Sequence, residues 1–280
     1  MKPIAEALGV SGSHLISTFQ QENNNSSRKL REQNNIISDE EIILKLRIIT
    51  NGRPTYGYRR ACAVLNRNLI KEGVKRVNHK RVYRIMKMEK LLLPKYICFK
   101  PERKHEGKVI TLRSNTRWCS DALQIRCWDG QKIEMAFVMD ACDRAILSYV
   151  AIIGHLNAKD IQNMLVLSLE KRFPKQIQLP HTIEWLTDNG KIFTADETKK
   201  LAKNIGLLSC QTAAYSPESN GMSESFVKRF KQDYVQVNEL WVSDEVLLKI
   251  PEWLNDCNEN HPHKGLGMMS PNEFIKQNIS

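Results

Sequence analysis

Between residues 117 and 153 three strand-like words follow one another with no helix between them: RWCSDALQIRCW, KIEMAFVMDACD and AILSYVAII. A parallel return needs a crossover of about a dozen residues or more, so strands this closely linked pair antiparallel. The Asp129-Gly130 pair between the first two is a tight hairpin signal. After the third strand the texture changes to alternation. NAKDIQNMLVLSLEKRF reads as a helix from an Asn157 cap, IEWLT as a strand and ADETKKLAKNIGL as a helix. LLSCQT then reads as a short strand and SESFVKRFKQDYV as a last helix.

The order βββαβαβα predicts an α/β domain, a mixed five-stranded sheet flanked by helices in the ribonuclease H-like arrangement. That arrangement gives meaning to three distant acids. Asp121 lies in the first strand, Asp188 at the C-terminal end of the fourth, and Glu224 in the first turn of the last helix. The gaps are 66 residues and 35 residues, and all three can converge at one sheet edge. Two ionised carboxylates about 4 Å apart repel by roughly 4 kcal/mol at an effective dielectric near 20, so such a cluster needs compensation. Oxygen ligands without clustered His or Cys favour Mg²⁺ or Mn²⁺ over zinc. Two such ions can serve the attacking and leaving oxygens of a phosphodiester. Each acid also has an ordinary use: a turn Asp before Asn-Gly, a Glu beside a helix N-terminus, an Asp on an exposed strand face. Asp140 and Asp143 in MDACDR compete for the same edge, but they end the second strand and are assigned structural roles.

Charge narrows the substrate. Forty-two Lys and Arg against thirty-one Asp and Glu leave a formal net charge of +11, which points to a polyanion. It disfavours the neutral sugar that a paired-carboxylate glycosidase would take. No apolar run reaches the roughly 18 to 20 residues of a spanning helix, and MKPIAEALGV lacks a signal-peptide core, so the expected partner is double-stranded DNA rather than a membrane. Seven cysteines with no CxxC pair fit reduced thiols and a cytoplasmic protein. Cys257, His261 and His263 are too sparse a set for zinc.

The N-terminal third is helical in pattern. IAEALGVSGSHLISTF reads as two short helices about a turn at Gly9, the shape of a helix-turn-helix, and QQENNNSSRKLREQNN after it as a polar linker. SDEEIILKLRIIT carries Ser38 and Glu41 in capping-box register, with Ile42, Leu44, Ile48 and Ile49 as its apolar side. YGYRRACAVLNRNL and NHKRVYRIMKMEKLL follow as helices, the latter burying Val82, Ile85, Met86 and Leu92 while Arg81, Arg84 and Lys87 form a basic DNA-facing row. PKYICFKPERKHEGKVITLRSN, basic and aperiodic, reads as an interdomain linker. The expected domains are a DNA-binding region at 1–93, a linker at 94–116, a catalytic core at 117–240 and a helical C-terminal extension at 241–280.

Six ordered words, RPTYGYRR, VNHKRVYRIMK, RWCSDALQIRCWDG, EWLTDNG, SPESNGMSESFVKRFKQDYV and HPHKGLGMMSPNEF, closely resemble the second-frame (OrfB) transposases of the insertion-sequence-three family, nearest the insertion-sequence-two branch. The resemblance runs from about residue 54 to 276. It implies a retroviral-integrase-like core in which Asp121, Asp188 and Glu224 bind two Mg²⁺ ions, with Mn²⁺ substituting. It also implies metal-dependent cleavage and strand transfer at the ends of a bacterial insertion sequence, on the nucleoid, by a homo-oligomer on DNA. An upstream-frame OrfA-type partner or fusion is implied too. Lys228 and Lys231 share a face with Glu224, at i+4 and i+7, and retroviral integrases carry lysines at these offsets that act on the DNA end. Asn220, just before the helix, joins them in the expected DNA-binding set. The alternative is a non-catalytic, transposase-derived DNA-binding protein or repressor.

Overall fold

The computed structural model describes residues 37–94, 111–211 and 221–278. The helix-turn-helix word at 4–19, the polar linker after it, most of the basic linker, and Asn220 therefore lie outside the described residues. The chain divides into two compact units, residues 1–52 with 56–93 and residues 53–55 with 94–280.

In the first unit three helices enclose one apolar cluster: α1 (Asp39–Gly52), α2 (Tyr58–Lys71) and α3 (His79–Met88). Ser38 caps α1 by accepting from the Glu41 amide at 3.2 Å, and Asn78 caps α3 by accepting from the Lys80 amide at 2.9 Å. Asn66 ties the α2–α3 connection down, accepting from the Val77 amide at 2.7 Å and donating to its carbonyl at 2.9 Å. Val82, Ile85 and Met86 are buried as expected, and Leu92 is half-buried against the same cluster. The apolar side of α1 is a correction. Ile42, Leu46 and Ile49 face the core, whereas Leu44 and Ile48 are 63% and 73% exposed. At 100° per residue these two lie on the far side of the helix from Ile42, and α1 is apolar on both sides, so composition alone misassigned them.

The second unit is built on a five-stranded sheet: β1 (Arg117–Arg126), β2 (Lys132–Asp140), β3 (Ile146–Ile153), β4 (Ile183–Thr187) and β5 (Leu207–Gln211). Its order is β3-β2-β1-β4-β5; β1, β2 and β3 pair antiparallel, and β4 and β5 run parallel to β1. This is the mixed ribonuclease H-like sheet that the element order requires. Gly130 turns the β1–β2 hairpin at φ +83°, a conformation that favours glycine. Helix α4 (Ala158–Arg172) starts in a full capping box, Asn157 accepting from the Lys159 and Asp160 amides while Asp160 accepts from the Asn157 amide. The short α5 (Lys191–Thr194) and α6 (Asp196–Asn204) precede β5, and α7 (Gly221–Phe230) follows it.

Both sheet faces are covered. On one, Trp118, Ala136 and Val138 pack with Ile161, Met164 and Leu165 of α4 and Ala202 of α6. On the other, Leu123, Ile125, Met135 and Phe137 pack under α7 and under α8 (Ser243–Glu259), whose Val246, Ile250, Trp253, Leu254 and Cys257 complete that cluster. Residues 243–259, read from sequence as part of an extension, thus supply one wall of the core. A short 3₁₀ turn (Lys264–Leu266) and α9 (Pro271–Asn278) close the chain.

Asp140 and Asp143 have the structural role assigned to them. Asp140 accepts from the amides of Asn115 at 2.7 Å and Cys142 at 2.8 Å; Asp143 accepts from Ser114 Oγ at 2.7 Å and the Ala145 amide at 3.0 Å. Arg172, at the end of α4, pairs with Asp143 and lies 3.6 Å from Asp140. Removing Arg172, the cation paired with these two fully buried carboxylates, strands charge that Arg144 nearby only partly offsets. Arg172→Met should therefore destabilise the second unit by about 3 to 5 kcal/mol in urea denaturation; an unchanged midpoint would mean that the backbone amides alone satisfy the pair.

Candidate active site

The parallel ladder between β1 and β4 sets the site. Its pairs are Arg117↔Glu184, Trp118↔Trp185 and Cys119↔Leu186, and the same register carried two residues further puts Asp121 level with Asp188. Neighbouring strands stand about 4.8 Å apart, so two carboxylates at one level are neighbours. A buried hydrogen bond from Trp185 Nε1 to Ser120 Oγ, 2.8 Å, pins the register immediately before the acids. Asp188 sits one residue past β4, where its Oδ1 accepts from the Gly190 amide at 3.0 Å. A Cβ at Gly190 would lie 2.9 Å from that same oxygen, which explains the glycine of TDNG: a side chain there would displace the carboxylate.

Helix α7 brings the third acid. Phe226 stacks on Phe137 with ring centroids 4.5 Å apart, and Phe137 is the antiparallel partner of Asp121. Glu224, one half-turn before Phe226, is consequently exposed on the flank of the helix, above the strand that carries Asp121. The far end of the helix widens into a π turn at Lys231–Val235. There Tyr234 donates to Asp256 Oδ2 at 2.6 Å, which fixes the axis of α7 against α8.

The three acids interact. The Asp121 carboxyl is pushed up to about 6, first by burial, then by the negative charges of Asp188 and Glu224; the Ala122 amide and the cation of Lys231 oppose the rise. Excess negative charge on carboxylate oxygens is the donor chemistry that suits a hard divalent cation. Among the described residues no three His, Cys, Asp or Glu side chains stand close enough together to hold a metal ion as they are, so binding one would require the carboxylates to draw in. Cys257, His261 and His263 form no metal cluster, and burial pushes the Cys257 thiol up to about 12.

The other expected residues divide. Lys231 is half-buried and acts on Asp121, while Lys228 is exposed one turn earlier. Arg81 and Arg84, in the first unit, both bind Asp39 at the start of α1: Arg81 Nε at 2.7 Å, Arg84 at 2.8 Å. Their row thus also holds α3 to α1, a use that spacing on one helix could not reveal. Lys87 is exposed. The supports supplied by Ser120, Phe137 and Gly190 were not singled out in the sequence; only Gly190, in the word TDNG, left a local signal.

Known proteins match along most of the chain. Residues 112–217 and 210–271 match integrase core domain families, and residues 38–96 match an HTH-like domain family. The chain is 39% identical over 241 residues to the transposase InsD for insertion element IS2A/D/F/H/I/K of Escherichia coli, covering 85% of this chain and 79% of that protein. It is equally similar, 39% over 85% of this chain and 78% of the relative, to the transposase InsD for insertion element IS2-9 of Escherichia coli strain K12. Among solved structures, the catalytic core domain of BIV integrase aligns with 59% of this chain and 97% of its own at 18% identity, with a TM-score of 0.38.

The raised Asp121 group has a consequence for stability. A carboxyl whose folded pKa exceeds its ordinary 3.8 favours folding when protonated; that contribution is full below pH 3.8 and is lost as pH rises through about 6. Asp121→Asn should therefore stabilise the chain at pH 7 by about 1 to 2 kcal/mol after solvent screening, and by much less at pH 4. Urea denaturation at the two pH values checks this, and equal effects at both would contradict the shift.

Proposed function

The chain belongs to the family of InsD transposases of insertion element IS2, and from that premise we propose that Asp121, Asp188 and Glu224 are its catalytic carboxylates, acting on the phosphodiester bonds at the ends of an insertion element. The observation that supports the assignment is geometric: the β1–β4 register, carried two residues on, brings Asp121 level with Asp188, and both Asp188 and Glu224 add to the effect of burial on the Asp121 carboxyl. The three acids hold two Mg²⁺ ions, for which Mn²⁺ substitutes. When bound, the ions neutralise the cluster and supply the charge that activates an attacking oxygen and stabilises a leaving one. The remaining work belongs to the protein. Gly190 and its amide aim Asp188; Phe137 and Phe226 hold the helix that carries Glu224; Ser120 and Trp185 keep β1 and β4 in register. Cleavage and joining proceed as direct displacements with no covalent enzyme intermediate: water hydrolyses a phosphodiester and releases a DNA 3′-hydroxyl, which then attacks a target phosphodiester and displaces the target strand's own 3′-hydroxyl.

DNA is gripped on both units. Beside the acids, Lys231 and Lys228 neutralise phosphates of the element end, and Asn220, next before the helix in sequence, belongs to the same DNA-binding set. The DNA-binding region at residues 1–93 recognises the terminal repeat, with Lys87 of α3 on the DNA side. Arg81, bound to Asp39 and the Ile37 carbonyl, is committed to the fold, whereas the more exposed Arg84 keeps donors free for phosphate. The protein works on DNA in the bacterial cytoplasm as a homo-oligomer, together with an upstream-frame OrfA-type partner or fused to it.

The reading is tested with purified chain, labelled element ends and Mg²⁺. Asp188→Asn, Glu224→Gln and the double variant should each fall to one common floor of strand cleavage, at least about a hundredfold below wild type, because groups acting as a unit are not additive. DNA binding should persist; near-normal cleavage by Glu224→Gln would leave only a DNA-binding protein. Changing Lys228 and Lys231 together to Gln should weaken end binding and reduce its salt slope by up to about two phosphate contacts, with the fold intact. Normal processing at physiological salt would reduce the two lysines to a solvated helix face.

A further inference from the structure

Two of the five tryptophans lie on the surface, next to each other. Trp128 in the β1–β2 turn is 57% exposed and Trp241, just before α8, is 59% exposed, whereas Trp118, Trp185 and Trp253 are buried. The two exposed rings meet edge to face, centroids 4.3 Å apart at 88°. They are fixed in place. The Trp128 amide donates to the Leu240 carbonyl at 2.8 Å, Asp129 Oδ2 accepts from the Ser243 amide at 2.7 Å, and Trp241 Nε1 donates to Glu239 Oε2 at 2.9 Å. Asp129 and Glu239 are thus each hydrogen-bonded, the amides of Ser243 and Gln131 holding Asp129 below the usual carboxylate range, while Asp244 and Glu245 in the first turn of α8 are exposed. Two residues before Trp128, Arg126 pairs across the strands with Lys132 at the hairpin mouth, and both are exposed.

We propose that Trp128 and Trp241 form a stacking site for an unpaired nucleobase of the DNA, with Arg126 and Lys132 taking the adjoining phosphates; the proposal rests on the transposase reading above. A rigid aromatic face offers sequence-tolerant stacking, and cations next to it suit a backbone phosphate. An apolar protein partner would cover Trp128, Trp241 and Val242 but would leave the exposed Arg126 and Lys132 without a use. The location fits as well. β4 runs parallel to β1, so the hairpin lies beyond the sheet end at which Asp188 sits. The five residues from Asp121 to Arg126 span about 17 Å, the rise of roughly five nucleotides of B-form DNA. Bases within a duplex have no free face; those in a frayed or single-stranded end next to a cut do.

The test uses the full chain and two labelled duplexes of one sequence, one flush and one ending in a four-nucleotide unpaired tail. Binding is read by anisotropy and by quenching of the intrinsic fluorescence, to which the two exposed indoles are the most accessible contributors. The tailed duplex should bind about tenfold tighter or more and quench the fluorescence, the flush one should not quench. Trp128→Ala and Trp241→Ala should each lose the preference while keeping flush-duplex affinity, and Trp241→Phe should retain most of it, which separates stacking from misfolding. Equal affinity of the wild type for both duplexes, with metal-dependent cleavage intact, would overturn the stacking site alone. So would dissociation of an oligomer by Trp241→Ala, because the rings would then belong to a protein interface. If the wild type neither binds nor cuts either duplex, the transposase reading fails and this one with it.

Discussion

The structure depends on one constraint: β1 and β4 lie side by side, parallel, in a register that, carried two residues past its last pair, brings Asp121 level with Asp188. Nothing in that arrangement favours the acids themselves. Like charges at one level on neighbouring strands repel, and burial of Asp121 adds to the cost. The register survives because it is fixed below the acids. Trp118 and Trp185 are paired across the ladder and fully buried, and the Trp185 indole donates to Ser120. Packing and one buried hydrogen bond therefore impose a repulsive juxtaposition that the carboxylates would not adopt unaided.

The two apolar clusters divide the labour. The cluster under α4 and α6 anchors the sheet and its register. The one under α7 and α8 aims the helix that carries Glu224, through Phe226 on Phe137, Phe230 beside Trp253, and Tyr234 bonded to Asp256. A single helix thus presents an acid, an exposed lysine and a half-buried lysine toward the same sheet edge. The first unit obeys the same economy in a different form, since the Asp39 carboxylate that binds Arg81 and Arg84 ties the basic helix to its neighbour. A charged row read as a binding face is there also a fastening.

Much of this was legible in the sequence. The strand and helix order, the Asn157 cap and the Asp129-Gly130 turn are local signals, and the structure has each of them. The strand, strand-end and helix-start placements of Asp121, Asp188 and Glu224 were legible by position, and the structure has each acid at its expected element. What could not be read depends on tertiary partners. Leu44 and Ile48 look as apolar as Ile42 and Leu46, and only the packing of α2 and α3 decides which side is covered. Arg81 looks free until Asp39, 42 residues earlier, is folded against it. Trp128 and Trp241 are 113 residues apart in sequence and carry no shared pattern; their contact exists only because the hairpin tip and the start of α8 are hydrogen-bonded to each other.

The central claim is that Asp121, Asp188 and Glu224 draw together around divalent cations. Replacing Mg²⁺ by Fe²⁺ with ascorbate and peroxide generates hydroxyl radicals at the bound ion, and these cut the polypeptide backbone nearest to it. The account predicts cuts clustered around residues 121, 188 and 224, suppressed by excess Mg²⁺. Cuts elsewhere, or a uniform pattern indifferent to Mg²⁺, would contradict it.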